Sequence, residues 1–145
     1  VGTKAHLPCF LDNSIQAVFE MQTKVLIVED EFIVALHLKH LLTELGFETV
    51  GIAPDEKAAL AFGEQHPDIA LVITDLRMPE QSGIELIRRL RQHTQRQHLP
   101  VIVISGHADM DDVSDLLRLQ VLDLFRKPIY HVRLLDTLDS LFPKP

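Results

Sequence analysis

The sequence predicts an α/β domain of five βα units: a doubly wound parallel sheet, helices on both faces, strand order 2-1-3-4-5. Three observations predict it. Short apolar runs alternate with amphipathic segments of helical period from residue 24 to residue 142. The runs are apolar on both sides of the pleat, as strands covered on both faces are. Four of the runs end on residues that carry chemistry, and ligands of such sheets bind beyond the carboxyl ends of the strands.

Each element follows from its residues. "KVLIV" (24–28) reads as the first strand. "EFIVALHLKHLLTEL" (31–45) sets Val34, Leu38, Leu41, Leu42 and Leu45 on one helical face, and Gly46 stops it. "ETVGIA" (48–53) is a weaker strand; Pro54 is expected to open the helix "DEKAALAFGEQH", which ends before Pro67. "IALVIT" (69–74) is the third strand, and a loop from Pro79 to Gly83 leads into the helix "IELIRRLRQH". "PVIVIS" (100–105) is the fourth strand, and "DMDDVSDLLRL" is a helix whose acidic start suits its positive dipole end. "VLDLFR" (121–126) and "HVRLLDTLDSLF" (131–142) complete the fifth unit.

Composition bounds the function. The chain has 145 residues, enough for one domain with a full core, and 46% are hydrophobic. A net charge of −7 argues against direct nucleic-acid binding. No apolar run approaches the roughly 20 residues of a membrane helix. The single Cys9 forms no internal disulfide and suits a reducing compartment. Residues 1–20 have no clear period and lack a signal-peptide core; they read as an expression-derived or upstream leader or linker, with the domain spanning 21–145.

Strand 1 ends in Glu29-Asp30-Glu31, strand 3 in Asp75, strand 4 in Ser105-Gly106 and strand 5 in Lys127-Pro128. In the order 2-1-3-4-5 these four strands are neighbours, so their polar ends converge. Grouped carboxylates repel, and a partly dry one takes up a proton unless a cation is near. Mg²⁺ suits such oxygen ligands. Lys127 adds an ammonium, Ser105 a hydroxyl, and Gly106 leaves space beside it. Together they make a pocket for a phosphoryl group, with one carboxylate as nucleophile.

"VLIVEDE", "VITDLRMPEQSG", "VIVISGHAD" and "LFRKP" resemble the four signatures of the response-regulator receiver domain of two-component signalling, a flavodoxin-like fold. The resemblance covers about residues 23–142. It implies that Asp75 accepts a phosphoryl group from a sensor histidine kinase or a histidine phosphotransfer protein. It implies Mg²⁺ held by Asp30, Asp75 and the Arg77 backbone carbonyl, with Glu29 acting mostly through water. Lys127 and Ser105 would contact the phosphoryl group, and Lys127-Pro128 is a candidate cis bond. Arg77 and His107 occupy positions that tune phosphoryl lifetime; they either screen the attacking water or simply face solvent. The resemblance further implies a cytoplasmic switch, not an enzyme in its own right, catalysing only its own phosphoryl transfer and loss. A homodimer through the helix4-strand5-helix5 face (residues 109–142) is the family analogy. The kinase, signal and output stay open, as does the choice between a stand-alone receiver and part of a larger protein.

Three features test the resemblance. The family's Gly-Ala before the lysine is Gln120-Val121 here, and its switch aromatic is Leu124. Phe125 follows, but period-2 alternation turns it to the other side of the sheet. His37 and His40 share a helix face, read as solvated rather than metal-binding. The alternatives are a haloacid-dehalogenase-like Mg²⁺-dependent phosphatase, which wants an Asp-x-Asp pair after its first strand, and a degenerate receiver acting as a binding module.

Overall fold

The computed structural model describes residues 22–78, 81–93 and 95–143. The proposed leader 1–20, Cys9 and Pro79 lie outside the described residues. The elements are β1 (Lys24–Val28), α1 (Phe32–Glu44), β2 (Glu48–Ala53), α2 (Glu56–Gln65), β3 (Leu71–Asp75), α3 (Gly83–Gln92), β4 (Val101–Ser105), α4 (Met110–Arg118), β5 (Asp123–Arg126) and α5 (His131–Leu141). All five strands pair in parallel, in the order β2-β1-β3-β4-β5. This is the expected doubly wound sheet.

Strand alternation divides the core in two. Val25 and Ile27 of β1, Leu71 and Ile73 of β3, and Ile102 and Ile104 of β4 face one layer with α1 and α5, where Ala35, Leu38, Leu42, Leu134 and Leu138 meet them. Leu26, Val28, Val72, Val101 and Val103 face the other, with Ala59 of α2, Ile84, Leu86, Ile87 and Leu90 of α3, and Leu116 of α4. Each such valine, leucine or isoleucine, fully withdrawn from water, contributes about 2 kcal/mol. Because both layers are thick at β1, β3 and β4, those strands are apolar over residues 25–28, 71–73 and 101–104 and turn polar only at their ends. Leu124 joins the α3 side, and Phe125 the α5 side with Arg133 stacked 4.9 Å over its ring.

Local chemistry sets the ends. Gly46 follows α1 at φ +91°, a conformation that costs glycine nothing. Pro54 does not open α2, contrary to expectation: Asp55 caps it, its side chain accepting the Ala58 N–H at 2.8 Å, and the first helical residue is Glu56. An aspartate oxygen satisfies an N–H that the helix start leaves unbonded, which proline cannot do. Beyond β3 the described residues also pair where a loop is expected. Arg77–Met78 and Gln81–Ser82 form a two-residue antiparallel ladder, and Ser82 caps α3. Gly83 sits so close to β3 that an added Cβ would lie 2.2 Å from the Asp75 carbonyl oxygen. β3 and β5 start two residues later than the sequence suggests, at Leu71 and Asp123.

At the end of the sheet opposite Asp75, the half-buried Arg91 of α3 closes two loops. It donates to Leu119 O (2.8 Å), Leu99 O (2.6 Å) and Gln120 O (3.4 Å). Gln120 has φ +58°, the left-handed conformation that its own side chain disfavours. The glycine common in the family at this position would adopt it freely. Gln120→Gly should therefore stabilise the protein by about 1 kcal/mol and raise the melting temperature by about 3 °C. Thermal or urea unfolding checks this, and a destabilised variant would contradict the strain at Gln120.

Candidate functional site

Register brings the four strand ends together. Val28 pairs with Thr74, so Glu29 leaves β1 level with Asp75 at the end of β3. Asp75 pairs with Ile104, one residue before Ser105. Ser105 pairs with Arg126, and the Lys127 N–H donates to Ser105 O at 2.8 Å, extending the ladder one step. The Lys127–Pro128 bond that follows is cis.

The side chains converge accordingly. Carboxylate oxygens of Glu29, Asp30 and Asp75 lie within 4.8 Å of one another. Among the described residues this is the one acidic or imidazole cluster with metal-ligand spacing; His37 and His40 are not part of one, and His40 pairs with exposed Glu44 instead. The Lys127 ammonium stands 2.8 Å from Glu29 Oε1, 3.1 Å from Asp75 Oδ2 and 3.5 Å from Glu31 Oε1. Glu29 Oε1 lies off the hydrogen-bonding direction, so that contact is Coulombic, whereas Lys127 donates properly to Asp75. Glu29 and Asp75 are buried and Asp30 faces solvent.

The electrostatics follow from this crowding. Burial, aided by neighbouring Asp75, pushes the Glu29 carboxyl up to about 7, although Lys127 and the Glu31 N–H pull the other way. Burial alone would lower the Lys127 pKa; Glu29 and Asp75 outweigh it and hold the ammonium above its ordinary range. One ammonium against three carboxylates leaves the pocket short of positive charge. The donors are all hard oxygens, and Asp30 opens one edge to water. That donor set fits a small divalent cation holding a few carboxylates and several waters.

The remaining predicted residues surround the cluster. Ser105 Oγ donates to His107 O at 2.6 Å and accepts the His107 N–H at 3.0 Å, so its hydroxyl is held by the β4–α4 loop. Gly106 has open space where a Cβ would be, and His107 is exposed. The Arg77 N–H donates to Asp75 Oδ1 at 3.3 Å. Its guanidinium is engaged by α4, donating to Asp112 Oδ2 at 2.5 Å with Asp109 Oδ2 at 3.9 Å. Sequence reasoning names neither Glu31 as a lysine partner nor Asp112 as an arginine partner. Asp109 and Asp112 do stand at capping-box spacing, but nothing local announces Arg77 as the third member.

The chain matches the family described as "Response regulator receiver domain" over residues 25–139. It is 30% identical over 130 residues to the chemotaxis protein CheY-3 of Vibrio cholerae, covering 90% of this chain and 99% of that protein. It is 34% identical over 115 residues to the transcriptional regulatory protein FixJ of Rhizobium meliloti, covering 78% of this chain and 53% of FixJ. Among solved structures it resembles a response regulator receiver protein from Pseudomonas putida, with TM-score 0.77, 33% identity and coverage of 82% and 97%. It also resembles a chain of the CheX-CheY-BeF3-Mg+2 complex from Borrelia burgdorferi, with TM-score 0.76, 28% identity and coverage of 84% and 90%.

The Glu29 environment has a signature in pH. Its folded pKa of about 7 lies above the ordinary 4.5, so without metal its contribution to stability is full below about pH 4.5 and lost as pH rises to about 7. Glu29→Gln stays neutral throughout. In EDTA its melting temperature, relative to the parent, should be higher at pH 8 than at pH 5. An equal difference at both pH values would contradict the desolvated carboxyl.

Proposed function

Because the chain belongs to the response regulator receiver domain family, we propose that it is the phosphorylation switch of a two-component relay and that Asp75 is its phosphoacceptor. The observation that carries this reading is the Lys127 ammonium lodged between Asp75 and Glu29, beside Asp30. A receiver is a signalling switch. This one catalyses only the arrival and loss of its own phosphoryl group, in the cytoplasm, where a lone cysteine is at home.

Asp30, Asp75 and the Arg77 backbone carbonyl would hold Mg²⁺, with Glu29 reaching it through water. When bound, that ion supplies positive charge against the phosphoryl oxygens. The chain's own residues do the rest. β3 fixes Asp75 at a rigid sheet end. One carboxylate oxygen bonds to phosphorus as the P–N bond of the donor phosphohistidine breaks, and the imidazole leaves with the electron pair of that bond. Lys127 turns from carboxylate to phosphoryl oxygen, where its charge lowers the barrier. Ser105 exchanges its loop partner, His107 O, for a phosphoryl oxygen, and Gly106 leaves the way clear. Loss of the group is the attack of water on phosphorus, releasing inorganic phosphate and the free carboxylate; His107 and the Arg77 side chain flank that approach.

The donor must reach Asp75 across an apolar surface. Phe32 and Ile33 are 63% and 79% exposed. Ile33, Val34, Leu38, Pro128 and Ile129 line a groove of about 380 Å³ that runs to Lys127. Its continuity with the phosphoryl pocket suits a partner that presents a phosphohistidine, either a sensor kinase or a phosphotransfer protein. Met110 and Leu117 of α4 and Leu122 before β5 are also exposed apolar residues, on elements of the α4-β5-α5 face proposed for output or self-association. Leu124, in place of an aromatic, would change that face by a smaller repacking.

Incubation with acetyl phosphate and Mg²⁺ should yield one acid- and base-labile phosphoryl group per chain, seen by intact mass, and none in Asp75→Asn. Continuous turnover would mark a phosphatase, and no labelling a degenerate module. Lys127→Ala should slow labelling by about a hundredfold. Ile33→Glu should slow transfer from a phosphohistidine domain by about tenfold while labelling by acetyl phosphate is unchanged; equal slowing by both donors would remove the groove from partner docking.

A further inference from the structure

We propose that Asp112 is a positioning residue for this chemistry: it holds the Arg77 guanidinium at the start of α4 and yields it to the phosphoryl group on Asp75, so that α4 reads the acceptor's state. The inference rests on Asp75 as phosphoacceptor and adds the route by which its state leaves the pocket.

Arg77 lies two residues beyond Asp75, bonded to it through the backbone, with its side chain reaching across to α4. The Asp112 side chain is only 12% exposed. Its Oδ2 carries two duties. It accepts from Arg77 Nη2, and it accepts the Asp109 N–H at 3.1 Å. Asp109 Oδ1 in turn accepts the Asp112 N–H at 2.8 Å, completing a reciprocal cap on the helix start. The arginine and the cap therefore share one oxygen.

α4 has little else to hold it. Of its nine residues Leu116 is the one buried apolar side chain, while Met110 and Leu117 are 82% and 73% exposed. Polar ties make up the difference, and the closest is Arg77–Asp112; Arg88 Nη2 stands 3.9 Å from Asp115 Oδ2. A phosphoryl group on Asp75 brings close to two negative charges and three acceptor oxygens to within reach of Arg77. A guanidinium pairs with such an oxyanion in a two-pronged fashion that one shared carboxylate oxygen does not match. Transfer of the guanidinium leaves Asp112 as a nearly buried carboxylate without its counter-ion, which is unfavourable. The helix start then loosens. This route does not need an aromatic at position 124. Linkage requires the converse: whatever frees Arg77 from Asp112 favours the phosphorylated state.

The experiment uses the whole chain labelled with acetyl phosphate and Mg²⁺, then freed of donor. The decay of the acyl phosphate and hydrogen exchange of the α4 amides are followed in the parent, Asp112→Asn, Arg77→Gln and the double variant. Asp112→Asn keeps the cap but releases the arginine, and should lengthen the phosphoryl lifetime about fivefold. Arg77→Gln should shorten it, and the double variant should decay as Arg77→Gln does. The parent's α4 amides should lose protection on phosphorylation; in Arg77→Gln they should be unprotected beforehand and show no further loss. An Asp112→Asn effect of equal size with and without Arg77, or an α4 response that survives Arg77→Gln, overturns the inference. If Asp112→Asn does not fold, the exchange of Arg77→Gln decides alone. Failure of the parent to take a phosphoryl group overturns the phosphoacceptor reading and this inference together, whereas labelling without the pair's influence overturns only this one.

Discussion

The repulsion among carboxylates at one end of the sheet is the constraint around which the molecule is arranged. Two adjacent strands, β1 and β3, deliver three acids to one small volume, and two of those acids are buried. Left alone they would protonate or push the strands apart. The Lys127 ammonium, delivered by the fourth neighbouring strand, is what the chain itself sets against them. The parallel register makes the meeting possible, since adjacent strands end level. The deep apolar layers on both faces hold that register: a slip of one residue would turn each strand's side chains into the wrong layer.

Much of this is legible in the sequence, for physical reasons. The five units, their order and the two-sided burial follow from apolar runs that leave no polar face. Asp75, Asp30, Glu29, Ser105 and Lys127 stand at strand ends, and topology alone brings strand ends together. Helix boundaries were less legible. Pro54 suggests a helix start, yet Asp55 is the residue able to bond the free N–H groups, and it prevails. The Arg77–Met78 ladder with Gln81–Ser82 is a two-residue antiparallel pairing that no periodicity announces. The roles of Glu31 and Asp112 are not legible in the sequence because their partners, Lys127 and Arg77, are distant along the chain and meet through the tertiary fold. The Leu124–Phe125 pair was legible, because alternation decides which side each faces, and they do fall in opposite layers.

α4 is seated differently from α1 and α3. α3 buries Ile84, Leu86, Ile87 and Leu90, and α1 buries Ala35, Leu38, Leu41 and Leu42. α4 buries one leucine and one aspartate. Its hold on the body is therefore made of charge pairs and a cap rather than hydrophobic area, and a charge change at Asp75 speaks directly to such a hold. A helix seated on a broad apolar face would respond far less.

Arg91 fastens the far end of the same layer by a different chemistry: a permanent cation bonded to three neutral carbonyl groups. Added electrolyte screens attraction between opposite ions much more than it disturbs a cation lodged on carbonyl dipoles. The domain is thus asymmetric toward ionic strength. Concentrated salt therefore weakens the hold at the Asp109 end of α4 more than the hold at its Leu119 end.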